Sequence, residues 1–132
     1  MCQAGLLPLS QHAMRFYGRI AYHDYEGIAL SMEERSRIIA NLGKHAALIF
    51  RNHGTLTLGK TVGHAFIEMF YLEKAARSQL LAQASGQKLS MPEDEIATLT
   101  NAQWLNEIQN SISREWPSLL RRLDRLDSSY RE

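Results

Sequence analysis

The chain has 132 residues, 45% of them hydrophobic and 22% charged, with a formal net charge of +1. That length suits one domain with a real core, and the composition is that of a folded rather than a disordered chain. Acidic and basic residues are interspersed, which excludes the one-signed field of a nucleic-acid or anionic-lipid binder, and no run of about eighteen apolar residues occurs. No nucleic-acid partner and no membrane insertion are therefore expected.

Cys2 is the single cysteine, so neither an intrachain disulfide nor a thiolate metal cluster can form. The opening "MCQAGLLPLSQ" lacks a basic leader and a sustained apolar stretch. A reducing, cytoplasmic location is the expectation.

In chain order, "LSQHAMRFYGRIAYHDYEGIAL" (Leu9 to Leu30) mixes aromatic and β-branched residues with glycines and predicts short strands separated by turns, one of them near Ile20 to Asp24. Ser31 and Glu34 form an S-x-x-E capping box for a helix carrying Ile38, Ile39 and Leu42 and stopping at Gly43. "AALIF" predicts a strand buried on both faces and "TLTL" a second strand, with Arg51-Asn52-His53-Gly54 as the turn between them. Thr61 caps a helix running to about Ala84 and ending at Gly86. Its apolar face reads as Val62, Ala65, Phe66, Met69, Leu72, Ala76 and Leu80, with Glu73 and Arg77 opposite.

A further helix is predicted from Ser90, Pro92 and Glu93 with Ile96, Leu99, Leu105, Ile108 and Ile112 as its stripe. A separate last helix opens at Pro117 with Leu119, Leu120, Leu123 and Leu126. Strands followed by helices predict a layered α/β unit over about residues 1–86 and a helical tail over about 90–132, all within one domain.

Of the five histidines, none forms the H-x-H or H-E-x-x-H pairs that mark local zinc ligands. His53 taken alone reads as a hydrogen-bonded turn residue, although the end of a buried strand is where α/β sheets place binding groups. The block "AYHDYEG" gathers Tyr22, His23, Asp24, Tyr25 and Glu26, and a histidine beside carboxylates can do acid–base work. Adjacent strand residues point to opposite faces, so a structural or subunit-contact role for Tyr22, His23 and Tyr25 is the stronger reading. The glycines at 54, 59 and 63 are not read as a phosphate cradle.

Taken in order, "GLLPLSQ", "AYHDYEGIAL", "ALIFRNHGTLTLG", "AFIEMFYLEKAARSQLLA" and "WPSLLRRLDRLD" resemble the C-terminal half or more of the class II aldolase/adducin family, closer to its adducin-like branch. The resemblance implies part of a three-layer α/β/α domain. In the family's enzymes three histidines hold a zinc ion that polarises a sugar-phosphate carbonyl in aldol cleavage or epimerisation. The resemblance maps the third ligand onto His53, with Asn52 and Gly54 as its motif neighbours.

The other two ligands form an H-x-H pair that the resemblance places just before Met1, with the acid–base glutamate further upstream. The family's enzymes also share residues across a four-fold tetramer. The resemblance thus implies a truncated aldolase-like protein that binds zinc weakly and is not an active aldolase alone, with its catalytic residues unknown. The alternatives are a lyase completed by a chain supplying the missing N-terminal half, and a non-catalytic homo-oligomerisation module. No feature identifies a substrate.

Overall fold

The computed structural model describes residues 5–28 and 30–131; Cys2 lies outside them. The elements are α1 (Gln11–Met14), β1 (Ile20–His23), α2 (Met32–Leu42), β2 (Ala47–Phe50), β3 (Gly54–Thr57), α3 (Val62–Ala84), α4 (Asp94–Leu126) and a closing 3-10 turn, Ser129–Arg131. The strands form one sheet in the order β1-β2-β3, with β1 parallel and β3 antiparallel to β2.

Side-chain alternation along the strands divides the sheet into two faces. Ala21, His23, Leu48 and Phe50 share one face, and Asn41 of α2 reaches it through the His23 ring. Ile20, Tyr22, Ala47, Ile49, Thr55 and Thr57 share the other. There Thr57 donates to the Ala65 carbonyl at 2.9 Å, and Thr55 donates to Met69 Sδ at 3.3 Å and to Glu73 at 3.2 Å, which seats α3. The result is the three-layer α/β/α arrangement, with Phe16, Ala47 and Leu72 at the centre of its core.

Four local expectations are corrected. Leu9 to Leu30 does not begin with a strand: Ser10 caps α1 by accepting from the Ala13 N–H, and Asn101 of α4 donates to the Met14 and Arg15 carbonyls at 3.2 and 2.7 Å. Ser31 caps α2 through the Glu33 N–H, but Glu34 does not close a capping box, because its side chain turns inward toward His23.

Helix α4 is continuous through Pro117 where two helices were expected. Proline removes one ladder hydrogen bond, yet Trp116 beside it packs flat on Gly63 of α3, where an added Cβ would stand 2.7 Å from the indole, and holds the helix in place. Along α4 the inward positions are Ala97, Asn101 and Ser111, whereas Ile96, Leu99 and Leu105 are exposed.

The buried face of α3 is also not the predicted apolar one. It comprises Gly63, Ile67, Glu68, Leu72, Ala75 and Gln79, while Val62, Phe66 and Leu80 are exposed. Glu73 and Arg77 are exposed on the same side as Phe66 and Leu80 rather than opposite them.

Glu68 explains the rotation. Its Oε1 accepts from Arg15 Nε at 2.9 Å and lies 2.7 Å from Arg15 Nη2, both residues being fully buried. The guanidinium also lies over the neighbouring rings of Tyr71 and Trp104, at 4.8 and 4.9 Å from their centroids. Removing one partner of such a pair strands a charge in low dielectric, whereas removing both does not. Arg15→Ala or Glu68→Ala should each lower the unfolding free energy by about 3–5 kcal/mol, and Arg15→Met with Glu68→Leu by much less. Urea titrations check this, and single variants within about 1 kcal/mol of wild type would refute it.

Two histidines border this cluster. Burial lowers the His12 pKa, helped by Lys74 and Arg15 and opposed by Glu115. Burial likewise lowers that of His64, opposed by Glu68 at 4.0 Å and helped by Arg15, Arg19 and Lys60. The unfolded chain therefore takes up these protons first, near the ordinary value of 6.5. The stability from keeping both rings neutral is full above that pH and is lost as pH falls below it. The urea midpoint should decline between about pH 7 and pH 5, and His64→Gln should flatten the decline; an unchanged slope in the variant would contradict it.

Candidate functional site

The β2–β3 connection is built by its flanks. Ala47 and Leu48, both fully buried, anchor β2, and the Phe50 carbonyl accepts from the His53 N–H at 3.1 Å to close the turn. Asn52 supplies the left-handed residue the turn needs, at φ 58°, a conformation asparagine tolerates better than most side chains. His53 is thereby presented in an exposed position with its ring 5.5 Å from that of Phe50. Among the described residues no hydrogen bond ties either of its ring nitrogens.

The register pairs His23 with Phe50, so His23 and His53 sit at the same end of the sheet. The Phe50 ring meets both imidazoles, with His23 edge-on at 5.9 Å. His23 is 3% exposed, and its Nδ1 lies 2.8 Å from Asn41 Nδ2. With that amide donating, Nδ1 is the acceptor, and a neutral ring carries its proton on Nε2. Nε2 faces Glu34 at 3.6 Å and Glu26 at 3.9 Å. The carboxylates beside His23 are thus Glu34 and Glu26, while Asp24 points to solvent. Glu26 is also clamped by Arg37, whose hydrogen bond holds the Glu26 carboxyl below the usual carboxylate range.

On the opposite face a cleft of about 590 Å³ is lined by Leu6, Tyr22, Ile49, Arg51, Thr55 and Glu73, among others. Tyr22 Oη accepts from the Leu6 N–H at 2.9 Å. Gly5 passes so close that a Cβ there would stand 2.4 Å from that oxygen, and its φ of 68° also calls for glycine. Gln79 fastens the same segment to α3, accepting from the Leu7 N–H at 2.7 Å and donating to the Gly5 carbonyl at 2.8 Å. Arg51 packs its guanidinium over the Tyr22 ring at 5.1 Å and pairs with Asp24 at 3.1 Å. Tyr25 stands apart from both sites, 54% exposed.

A zinc site takes three or four N, S or O donors. Among the described residues, no group of three or more His, Cys, Asp or Glu side chains could hold a metal ion. His53 is adjoined by Phe50, Asn52 and Gly54, which bring no further imidazole or carboxylate. The donor set of these residues does not by itself fit zinc.

Gly54 to Thr61 match the letters of the phosphate-binding motif G-x-x-x-x-G-K-T. The context rules out that reading, because Gly54–Thr57 is an extended strand paired with β2 and not a loop wrapped around a helix end. Among the described residues, no helix is long and apolar enough to cross a membrane.

Glu34 figured in the sequence reading only as a capping residue, and Arg15, Glu68 and Gln79 escaped it. For the last two a signal was present: Glu68, Leu72, Ala75 and Gln79 follow one another in steps of four, three and four residues. That is a helical face. A search for apolar stripes passes over it because half its members are polar.

The model of the "Class II Aldolase and Adducin N-terminal domain" matches residues 1–80. A Caulobacter vibrioides protein named for aldolase class 2 is 41% identical over 134 aligned positions, covering 96% of this chain and 49% of that protein. Rat alpha-adducin is 44% identical over 87 positions, covering 64% of this chain and 12% of its own length. A crystal structure of an aldolase II superfamily protein from Pseudomonas syringae superposes with a TM-score of 0.90 at 40% identity, covering 99% of this chain and 53% of that one. L-fuculose 1-phosphate aldolase from Glaciozyma antarctica has the same fold, with a TM-score of 0.74 at 24% identity over 91% of this chain and 45% of its own. The chain spans about half the length of the bacterial relatives it matches. With the layered fold and the family model in agreement, the chain belongs to the class II aldolase and adducin family.

Proposed function

We propose that these 132 residues are a partial class II aldolase/adducin domain that contributes one metal-ligating imidazole, His53, to a zinc site whose other donors lie outside this segment. The observation that carries this reading is the placement of His53: an exposed ring with no hydrogen bond on its nitrogens among the described residues, held at the end of a buried strand. A lone neutral imidazole binds zinc weakly, so the chain alone is not an active aldolase. Completed by further residues or by another chain carrying an H-x-H pair, it becomes a zinc-dependent lyase of the aldolase or epimerase type acting on a sugar phosphate. The setting is cytoplasmic.

A second reading, a non-catalytic homo-oligomerisation module of the adducin kind with the family's tetramer as its assembly, is favoured by α3. That helix exposes Val62, Phe66, Phe70, Leu80 and Leu81 while already burying another face, and a helix apolar on both sides is normally covered on both. Here the chain self-associates whether or not a metal site is completed.

Metal analysis separates the readings. The 132-residue chain should carry far less than one zinc per chain. A polypeptide extended upstream to include an H-x-H pair should carry about one, lost in His53→Ala. Stoichiometric zinc in the 132-residue chain that survives His53→Ala would overturn the assignment, and an extended polypeptide that stays free of zinc would leave the assembly reading alone.

A further inference from the structure

Helix α3 covers only part of its face of the sheet. Its bonds run to Thr55 and Thr57 of β3, the last strand in the sheet order, while Tyr22 of β1 and Ile49 of β2 on the same face floor the cleft of about 590 Å³. One wall is α3 itself, through Ala76 and Leu80, and the other is the segment at Gly5 and Leu6. A sheet face is buried against a continuous layer, so the cleft is a gap in that layer.

The lining decides what kind of occupant fits. A small-molecule site keeps a few convergent polar groups free to orient its ligand. Here the polar groups are engaged by the chain itself. Both amide atoms of Gln79 are bonded to Leu7 and Gly5, Tyr22 Oη accepts from Leu6, Glu73 accepts from Thr55, and Arg51 pairs with Asp24. What remains on offer is apolar: Leu6, Ile49, Ala76 and Leu80, the last 57% exposed. Such a surface takes apolar side chains.

Two features single out the polypeptide that supplies them. Gln79 and Tyr22 pin Gly5 to Leu7 along the cleft, so residues joined upstream of Gly5 start from its wall and reach it at the high effective concentration of a tethered segment. Arg51 and Gly54, which also line the cleft, flank Asn52 and His53, so whatever fills it lies alongside the hairpin that presents the imidazole.

We propose that the cleft seats the upstream polypeptide carrying the H-x-H pair, whose apolar side chains close the gap between the sheet and α3 and hold it against the His53 hairpin. This rests on the zinc reading above and names the surface on which that site is completed.

The test places Ala76→Phe in the 132-residue chain and in the upstream-extended polypeptide, and reads urea midpoints, zinc affinity and the fluorescence of the apolar dye anilinonaphthalene sulfonate. In the 132-residue chain the added ring enters open space, so the midpoint should hold or rise and dye binding should fall; the same result shows that the variant folds. The extended wild type should bind little dye. There Ala76→Phe overpacks a filled site, lowers the midpoint and weakens zinc binding at least about tenfold. Ala76→Phe acting alike in both polypeptides would overturn the seat, and the zinc reading would stand on its His53→Ala result. Loss of self-association by the 132-residue variant would overturn it too, by making a second copy the occupant. An extended polypeptide that holds no zinc, yet is destabilised by Ala76→Phe where the shorter chain is not, would remove the zinc reading and keep the seat.

Discussion

The ion pair between Arg15 and Glu68 is the constraint on which the rest of the arrangement depends. Two charges withdrawn from water tolerate little freedom of position, since each needs the other at contact distance. Arg15 comes from the end of α1 and Glu68 from the second turn of α3, and the guanidinium lies over the rings of Tyr71 of α3 and Trp104 of α4. One contact thereby locks three helices, and it fixes the rotation of α3 about its own axis. With Glu68 inside, Leu72, Ala75 and Gln79 must follow it inward, and Phe66, Phe70 and Leu80 must face out. An apolar ranking alone would have turned the helix the other way.

From that rotation the geometry of the sheet end follows. Gln79, pointing inward, ties the segment around Gly5 and Leu7 to α3, and Tyr22 holds the same segment from the sheet side. Gly5 gives the Tyr22 hydroxyl the room it needs to lie against this segment. On the far face His23 takes the place an aliphatic core residue would fill, and α2 is attached through Asn41 and Glu34 as well as through half-buried Ile38 and Leu42, Ile39 being 60% exposed. The two histidines at this end thus have different settings. His23 is enclosed and oriented; His53 is presented outward.

How far this was legible in the sequence depends on whether the cause was local. The α3 boundaries were readable because Thr61 and Gly86 act on their own neighbours. The β2–β3 turn was readable because buried Ala47 and Leu48 and left-handed Asn52 sit within a few residues of each other. The α1 helix was not readable, because its last carbonyls are capped by Asn101, far along the chain. Nor was the continuity of α4 through Pro117, which rests on Trp116 meeting Gly63. Glu34 looked like a capping residue until His23, eleven positions earlier, supplied a buried partner. His53 as a site residue came from resemblance and not from its local chemistry, since one imidazole in a turn carries no ligand-set signature.

The hairpin and the outward face of α3 are not independent surfaces. Thr55 lies two residues beyond His53 and donates to Glu73, so a carboxylate of α3 braces the strand that presents the imidazole. Thr57 and Met69 add further bonds along the same helix. The setting of α3 is therefore felt directly at the hairpin that carries His53.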